Sequence, residues 1–391
     1  MFNLGRTDRS VVGHWWWTVD KWILLSVFLL IGIGIILITA ASPSVAERIE
    51  VDSFHFVQRQ LLFLLPAIFV MVSVSFLSPL YIRRLGVVTF IGFFFLSLLT
   101  LIIGAETKGA YRWLSFGSFQ IQPSEFIKPS LAIFIAWMLS EKSYDDKFPG
   151  HTISSIAVGL VLAILFLQPD IGMVIVIIAI WFVQIFISGI SIFIISFLIF
   201  GLLFGAVISY LQFTHVANRI HRFIDPSSGD SYQVDNALSA FDSGGLLGAG
   251  PGEGVVKAII PDAHADFIFA VAGEEFGLIA VLIIISLFSF IVLRGLIRLF
   301  KEKNIFIILA SAGILTQLGL QSIINMGVNM RLLPAKGMTL PFISYGGSSL
   351  LALAFAVGII LALSRKRVES NIFNERKDNK NIIFGSLKTY E

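Results

Sequence analysis

The sequence has no cysteine. Disulfides, thiolate metal sites and cysteine nucleophiles are therefore excluded. Charge is scarce too: 14% of the 391 residues are charged, whereas a soluble domain carries about a quarter. The net charge of +3 comes without a basic stripe interleaved with aromatics, so nucleic acid is set aside as a partner. No internal repeat stands out, which argues against an inverted-repeat transporter. What fills the chain instead is apolar: 56% of residues are hydrophobic and the mean hydropathy is +0.88. Many runs reach the roughly 17–25 residues that match a bilayer's hydrocarbon core. The expected fold is an all-α polytopic membrane protein.

Ten spans are read, near residues 22–41, 56–77, 86–104, 124–140, 152–167, 170–188, 190–211, 267–293, 304–328 and 341–363. An even count puts both termini on one side. That side holds Arg6, Arg9, Lys21, Arg83, Arg84, Lys142, Lys147, Arg294, Arg298, Lys301, Lys303 and the basic tail from Arg365. The positive-inside rule makes it the cytoplasm. The chain then divides into a cytoplasmic segment 1–21, seven helices in 22–211, a large outer loop 212–266, three helices in 267–363 and a cytoplasmic tail 364–391. The first apolar run exceeds the roughly 7–15 residues of a signal peptide and is read as an uncleaved helix. Trp15–Trp17 before it suit the membrane interface. In the large loop, QVDNALSAF has the makings of a short helix, and GGLLGAGPGEG supplies six glycines between Gly244 and Gly254.

Four polar constellations fall on the outer face. In KGAYRWLSFGSFQIQPSEFIKPS, Pro123 is placed to begin a helix, Glu125 and Lys128 are three apart on one face, and Pro129 should loosen the helix afterwards. Lys108 and Arg112 stand upstream. An arginine fork suits phosphate, although snorkelling to headgroups accounts for such residues equally. QPD, Gln168 to Asp170, forms a tight turn where Asp170 is either a helix cap or a site residue. HADFIFAVAGEEFG, from His264, puts Asp266 at the mouth of the eighth span and Glu274 and Glu275 inside it, about 12–13 Å deeper at ~1.5 Å per residue. Asp266 fits a helix N-terminus, and acids at the depth of Glu274 and Glu275 must face protein or a wet cavity. The last stretch, residues 325–350, includes an outer loop carrying Arg331 and Lys336, either able to meet an anion, and then SYGGSS within the start of the last span: Ser344, Tyr345, Gly346, Gly347 and two further serines. Small residues there allow close packing or irregular backbone beside a cavity. On residues alone this is an outward-facing polar cavity of an enzyme acting on a membrane-bound substrate, or of a transporter.

The segments RWLSFGSFQIQPSEFIKP, QPDIG, DAHADFIFAVAGEEFG and LPAKGMTLPFISYGGSS resemble, in this order, the SEDS proteins (shape, elongation, division and sporulation). The resemblance covers about residues 15–365 and is closer to the division type than to the elongation type. It implies a peptidoglycan glycosyltransferase of the bacterial inner membrane at the division septum. Such an enzyme polymerises lipid II onto a nascent glycan strand, with a cognate class B penicillin-binding protein and other divisome membrane proteins as partners. The family's essential aspartate falls on Asp266, preceded here by Ala265 where the family usually has threonine. The roles expected on this basis are a general base for Asp266 and pyrophosphate binding by Lys108, Arg112, Lys128, Arg331 and Lys336. Glu125 would orient Lys128. Asp170, Glu274, Glu275, His264 and the Ser344–Gly347 segment would shape or support the cavity. A Mg2+ or Mn2+ ion bridging pyrophosphate to a carboxylate fits this chemistry, and no organic cofactor is expected. A lipid II flippase, an elongation-type polymerase and a division scaffold are the alternatives.

Overall fold

The computed structural model describes residues 10–107, 110–117, 119–212, 214, 217, 221, 232–334 and 337–365. Two compact units are distinct in it. The smaller contains a helix that the sequence did not announce, α1 (Val11–Thr18), capped where Ser10 Oγ accepts from Gly13 N at 3.0 Å. In the same unit Arg365 Nε donates to Thr18 Oγ1 at 3.1 Å.

The larger unit, Lys21–Leu363, holds a helix at each of the ten expected spans. These are α2 (Lys21–Arg48), α3 (His55–Ser75), α4 (Pro79–Ile103), α5 (Pro123–Tyr144), α6 (Gly150–Leu167), α7 (Ile171–Ile187), α8 (Ile192–Gln212), α10 (Ile268–Leu299), α11 (Ile305–Asn329) and α12 (Gly347–Leu363). Among the described residues six of them are long and apolar enough to cross a membrane, with α7 and α12 shorter. The chain is a multi-pass membrane protein. The large loop adds α9 (Tyr232–Gly244) over the expected QVDNALSAF segment.

Three expectations about helix limits change. Pro79 starts α4 about two turns before residue 86. A first-turn proline lacks only a donor that would be unpaired anyway. The early start brings Arg83 onto the helix, where its guanidinium donates to Glu141 at 2.9 Å and lies 4.8 Å over the Phe306 ring. Pro129 does not loosen α5, which runs unbroken to Tyr144. Beside it Ser130 Oγ donates to Phe126 O at 2.7 Å, tying the backbone there. Finally, the last helix starts at Gly347 and not near residue 341, so Ser344, Tyr345 and Gly346 precede it.

The chain also contains strands. Three short ones, β1 (Ala105–Thr107), β2 (Ala110–Phe116) and β3 (Phe119–Ile121), pair antiparallel in that order. Runs this short give no usable alternation in sequence. Leu114 of β2, opposite Ile121, is the inward residue of the sheet. Inside the bundle, α11 lies against α5, α7 and α10, and α12 packs on α3. Both α11 and α12 are apolar nearly all round and almost wholly buried, as a helix surrounded by others must be.

The start of α10 explains the glycine-rich segment. Glu274 and Glu275 are 0% and 1% exposed, and ionised carboxylates there need partners. The glycine-rich segment supplies them. Glu274 accepts from the backbone N–H of Val256 at 2.6 Å and of Lys257 at 2.7 Å. Glu275 accepts from Gly254 N at 3.3 Å, from Gly252 N and from Lys257 Nζ. In return Ala249 N and Gly250 N donate to the carbonyls of Glu274 and Glu275 at 2.8 and 3.1 Å. Those carbonyls are free because α10 breaks at Gly277, which sits at φ 71°. Leu246 O and Gly248 N would lie 2.4–2.5 Å from a Cβ at Gly277, and an L side chain disfavours that φ in any case. The acids therefore face neither water nor lipid: a loop folds onto them. Removing one partner of such a buried pair leaves a lone charge, at about 3–5 kcal/mol. Lys257→Met should accordingly lower the melting temperature of the purified protein clearly. Lys257→Met with Glu275→Gln should recover most of the loss.

Candidate functional site

Several helix ends converge on the turn before α10. Arg48 at the end of α2 donates to Ile260 O at 2.7 Å, which ties the large loop to the bundle. The His264 ring is buried, with its centroid 4.1 Å from that of Phe56 on α3 and 5.2 Å from that of Tyr345. Tyr345 N donates to His264 O at 2.9 Å. Ser344 Oγ accepts from Leu340 N at 2.7 Å and donates to Ala265 O at 2.6 Å. The HAD and SYGG segments, eighty residues apart in the chain, are thus stitched together backbone to backbone. Gly346 N reaches Gln60 Oε1 at 3.4 Å, and Gly347 opens α12.

Asp266 stands in this seam, half-buried. It is not the cap of α10: the N-cap is Phe267, and no side chain caps there. Its carbonyl is held instead, by Asn325 Nδ2 at 2.8 Å and Asn329 Nδ2 at 3.0 Å, both from α11. The carboxylate points at Gly337. A Cβ added there would lie 3.0 Å from Asp266 Oδ2. Any side chain at 337 would crowd the acid, so the glycine keeps that approach open.

The expected cations are distributed differently from a simple phosphate clamp. Lys128 is 0% exposed. Its ammonium pairs with Glu125 at 2.9 Å, as the spacing predicted, and donates to Gln321 Oε1 of α11 at 2.9 Å. Arg112 on β2 embraces the QPD turn: Nε donates to Gln168 O at 2.9 Å, a terminal nitrogen donates to Pro169 O at 2.7 Å, and Asp170 lies at 3.6 Å. Of the two roles left open for Asp170, the structure shows the cap: Oδ1 accepts from Met173 N at 3.3 Å at the start of α7. Burial pushes its carboxyl above the ordinary aspartate range, with the Arg112 guanidinium pulling the other way. Arg331 pairs with Asp235 of α9 at 3.1 Å. Lys108 and Lys336 lie outside the described residues. Among the described residues no three His, Asp or Glu side chains gather as a metal cluster.

The structure thus brings Asp266, His264, Ser344, Tyr345 and Gly337 together at one seam. Glu125 with Lys128 forms a buried pair, Arg112 with Asp170 a clasp on the β-sheet, and Glu274 with Glu275 the anchor of the loop. Sequence reasoning missed Asn325, Asn329, Gln321 and Lys257. The signal for three of them was present: Gln317, Gln321, Asn325 and Asn329 recur every four residues, one face of an otherwise apolar helix. In chemical terms the seam offers one half-buried carboxylate on a fixed backbone. That arrangement suits proton acceptance from a hydroxyl presented there.

A family model described as cell cycle protein, FtsW/RodA/SpoVE, matches residues 21–369. A probable peptidoglycan glycosyltransferase FtsW of Caulobacter vibrioides is 42% identical over 363 residues, covering 93% of this chain and 93% of that protein. A probable peptidoglycan glycosyltransferase FtsW of Geobacter metallireducens is 35% identical, covering 89% and 95%. Among solved structures, a chain of a peptidoglycan synthase complex that coordinates polymerization and crosslinking superposes with a TM-score of 0.74 at 24% identity, covering 90% of this chain and 99% of that one. The rod shape determining protein RodA of Thermus thermophilus gives a TM-score of 0.65 at 24% identity, covering 91% and 99%. With the model spanning nearly the whole bundle, and with relatives this similar end to end, the chain belongs to the FtsW/RodA/SpoVE family of cell cycle proteins.

Proposed function

We propose that this protein is a septal peptidoglycan glycosyltransferase that polymerises lipid II, with Asp266 as its general base. The observation that supports the reading most is the Asp266 carboxylate itself. It is half-buried on a backbone held by α11, beside a glycine that leaves it room. It lies in a chain 42% identical to a protein named for this activity.

The reaction joins two lipid-linked sugars at the outer membrane surface. The acceptor's 4-hydroxyl oxygen attacks the anomeric carbon of the donor and forms the new glycosidic bond. The bond from that carbon to the diphosphate oxygen breaks, and configuration inverts. The hydroxyl proton passes to an Asp266 carboxylate oxygen, as a positioned base accepts it. The lipid diphosphate leaves with its electron pair, and its growing charge calls for cationic compensation. Arg112 is a candidate for that compensation at the rim. Lys128 is withdrawn from the surface; with Glu125 it holds α5 to α11 and acts on the site through the fold.

A Mg2+ or Mn2+ ion fits only as part of the substrate's charge balance. Asp170, Glu125, Glu274 and Glu275 are engaged with protein partners, and Asp266 would be the carboxylate to bridge to the diphosphate. One carboxylate plus phosphate oxygens is a usual Mg2+ set. Bound so, the ion would neutralise charge on the leaving group.

A cognate class B penicillin-binding protein is proposed as the transpeptidase partner. The superposition on a chain of a peptidoglycan synthase complex supports it. The full chain, co-purified with that partner and supplied with lipid II, should make glycan. Asp266→Asn should slow polymerisation by about 10²–10⁴-fold, the usual contribution of a general base, with lipid II still bound. Wild-type speed in that variant would end the base assignment. Lipid II movement between leaflets without glycan from any partnered preparation would favour a flippase. Gly337→Val, which pushes a branched side chain against the carboxylate, should lower kcat at least tenfold while leaving the melting temperature unchanged.

A further inference from the structure

We infer that Asn325 and Asn329 are positioning residues that set the place of the Asp266 carboxylate. The inference rests on the assignment of Asp266 as the base. Both asparagines lie in the last turns of α11, four apart and therefore on one face. Both are at most 1% exposed. Buried carboxamides in an apolar helix carry a desolvation cost, and they persist where their hydrogen bonds are made.

Each makes bonds that converge on one backbone stretch. Asn329 Nδ2 donates to Asp266 O at 3.0 Å and to Asn325 O at 2.9 Å, and its Oδ1 accepts from Ala270 N at 3.1 Å. It therefore straddles the start of α10, where the Ala270 N–H is shared with Phe267 O at 3.0 Å. Phe267 offers no side-chain cap, and Asn329 of a different helix supplies a second acceptor there. Asn325 Nδ2 spends one hydrogen on Asp266 O at 2.8 Å and the other on Met338 O at 2.6 Å. Met338 follows Gly337, whose Cα faces the Asp266 carboxylate. One amide group thus fixes both the acid and the segment opposite it. Its two amide hydrogens let it donate to both carbonyls at once. Neither asparagine touches the carboxylate through these bonds, so their action on the chemistry is through Asp266.

A base displaced by about 1 Å loses on the order of a hundredfold in rate. The test uses the full chain co-purified with its class B penicillin-binding protein, with lipid II as substrate. Asn325→Leu and Asn329→Leu keep the volume and remove the donors. Each is expected to lower kcat at least tenfold per folded molecule, with KM for lipid II within threefold of wild type. In an Asp266→Asn background the same changes should give no further loss, because there is no longer a base to position. A kcat fall below tenfold, or a loss carried by KM, overturns the inference. So does full additivity with Asp266→Asn. Should the leucine variants not fold, Asn329→Asp keeps the acceptor for Ala270 and faces the Asp266 carbonyl without the amide donor. It is judged by the same split. If Asp266→Asn itself polymerises at wild-type speed, the base assignment has failed, which is a separate result.

Discussion

Carboxylates buried at membrane depth must be met by donors, and that requirement organises the outer half of this protein. Glu274 and Glu275 sit in the first turns of a helix with no water to solvate them. The glycine-rich segment folds down because its backbone N–H groups and Lys257 are what satisfy them. The glycines matter there as permissive backbone that can lie against another backbone. Once the segment is anchored, the large loop has a fixed lower end, and the chain enters α10 at a defined place. Asp266 is two residues before that entry.

A second set of matched charges does the same for the other wall. Lys128 and Glu125 pair within α5, and Gln321 ties the ammonium to α11. The Arg112 clasp joins the β-sheet to the turn between α6 and α7. The acids and bases that sequence alone casts as a phosphate-binding cavity are mostly engaged with one another. On the proposed reading, the reacting surface is the smaller group around Asp266. Alpha-11 runs through both sets: Gln321 meets Lys128, and two turns further on Asn325 and Asn329 meet Asp266.

Much of this was legible. Apolar run length found the ten helices, because a bilayer imposes a length that soluble cores do not. The three-residue spacing of Glu125 and Lys128 foretold their pairing, since helix geometry alone puts them in reach. Asp170 read as a cap and is one. What stayed hidden depended on partners far along the chain. Nothing near Glu274 says that residues 249–257 will cover it. Nothing near Asn329 says that it will meet the start of a helix sixty residues earlier. The two three-residue strands at 105–107 and 119–121 were invisible for a simpler reason: runs that short carry no period.

On the proposed reading, the seam presents Asp266 to the sugar that is deprotonated. A structure of the full chain with its transpeptidase partner and a trapped pair of lipid-linked disaccharides tests it directly. The acceptor's 4-hydroxyl is expected within hydrogen-bonding distance of an Asp266 carboxylate oxygen, on the side of Gly337. Both sugars bound in a competent arrangement with that hydroxyl against a different residue, and Asp266 still held in its seam, would contradict it.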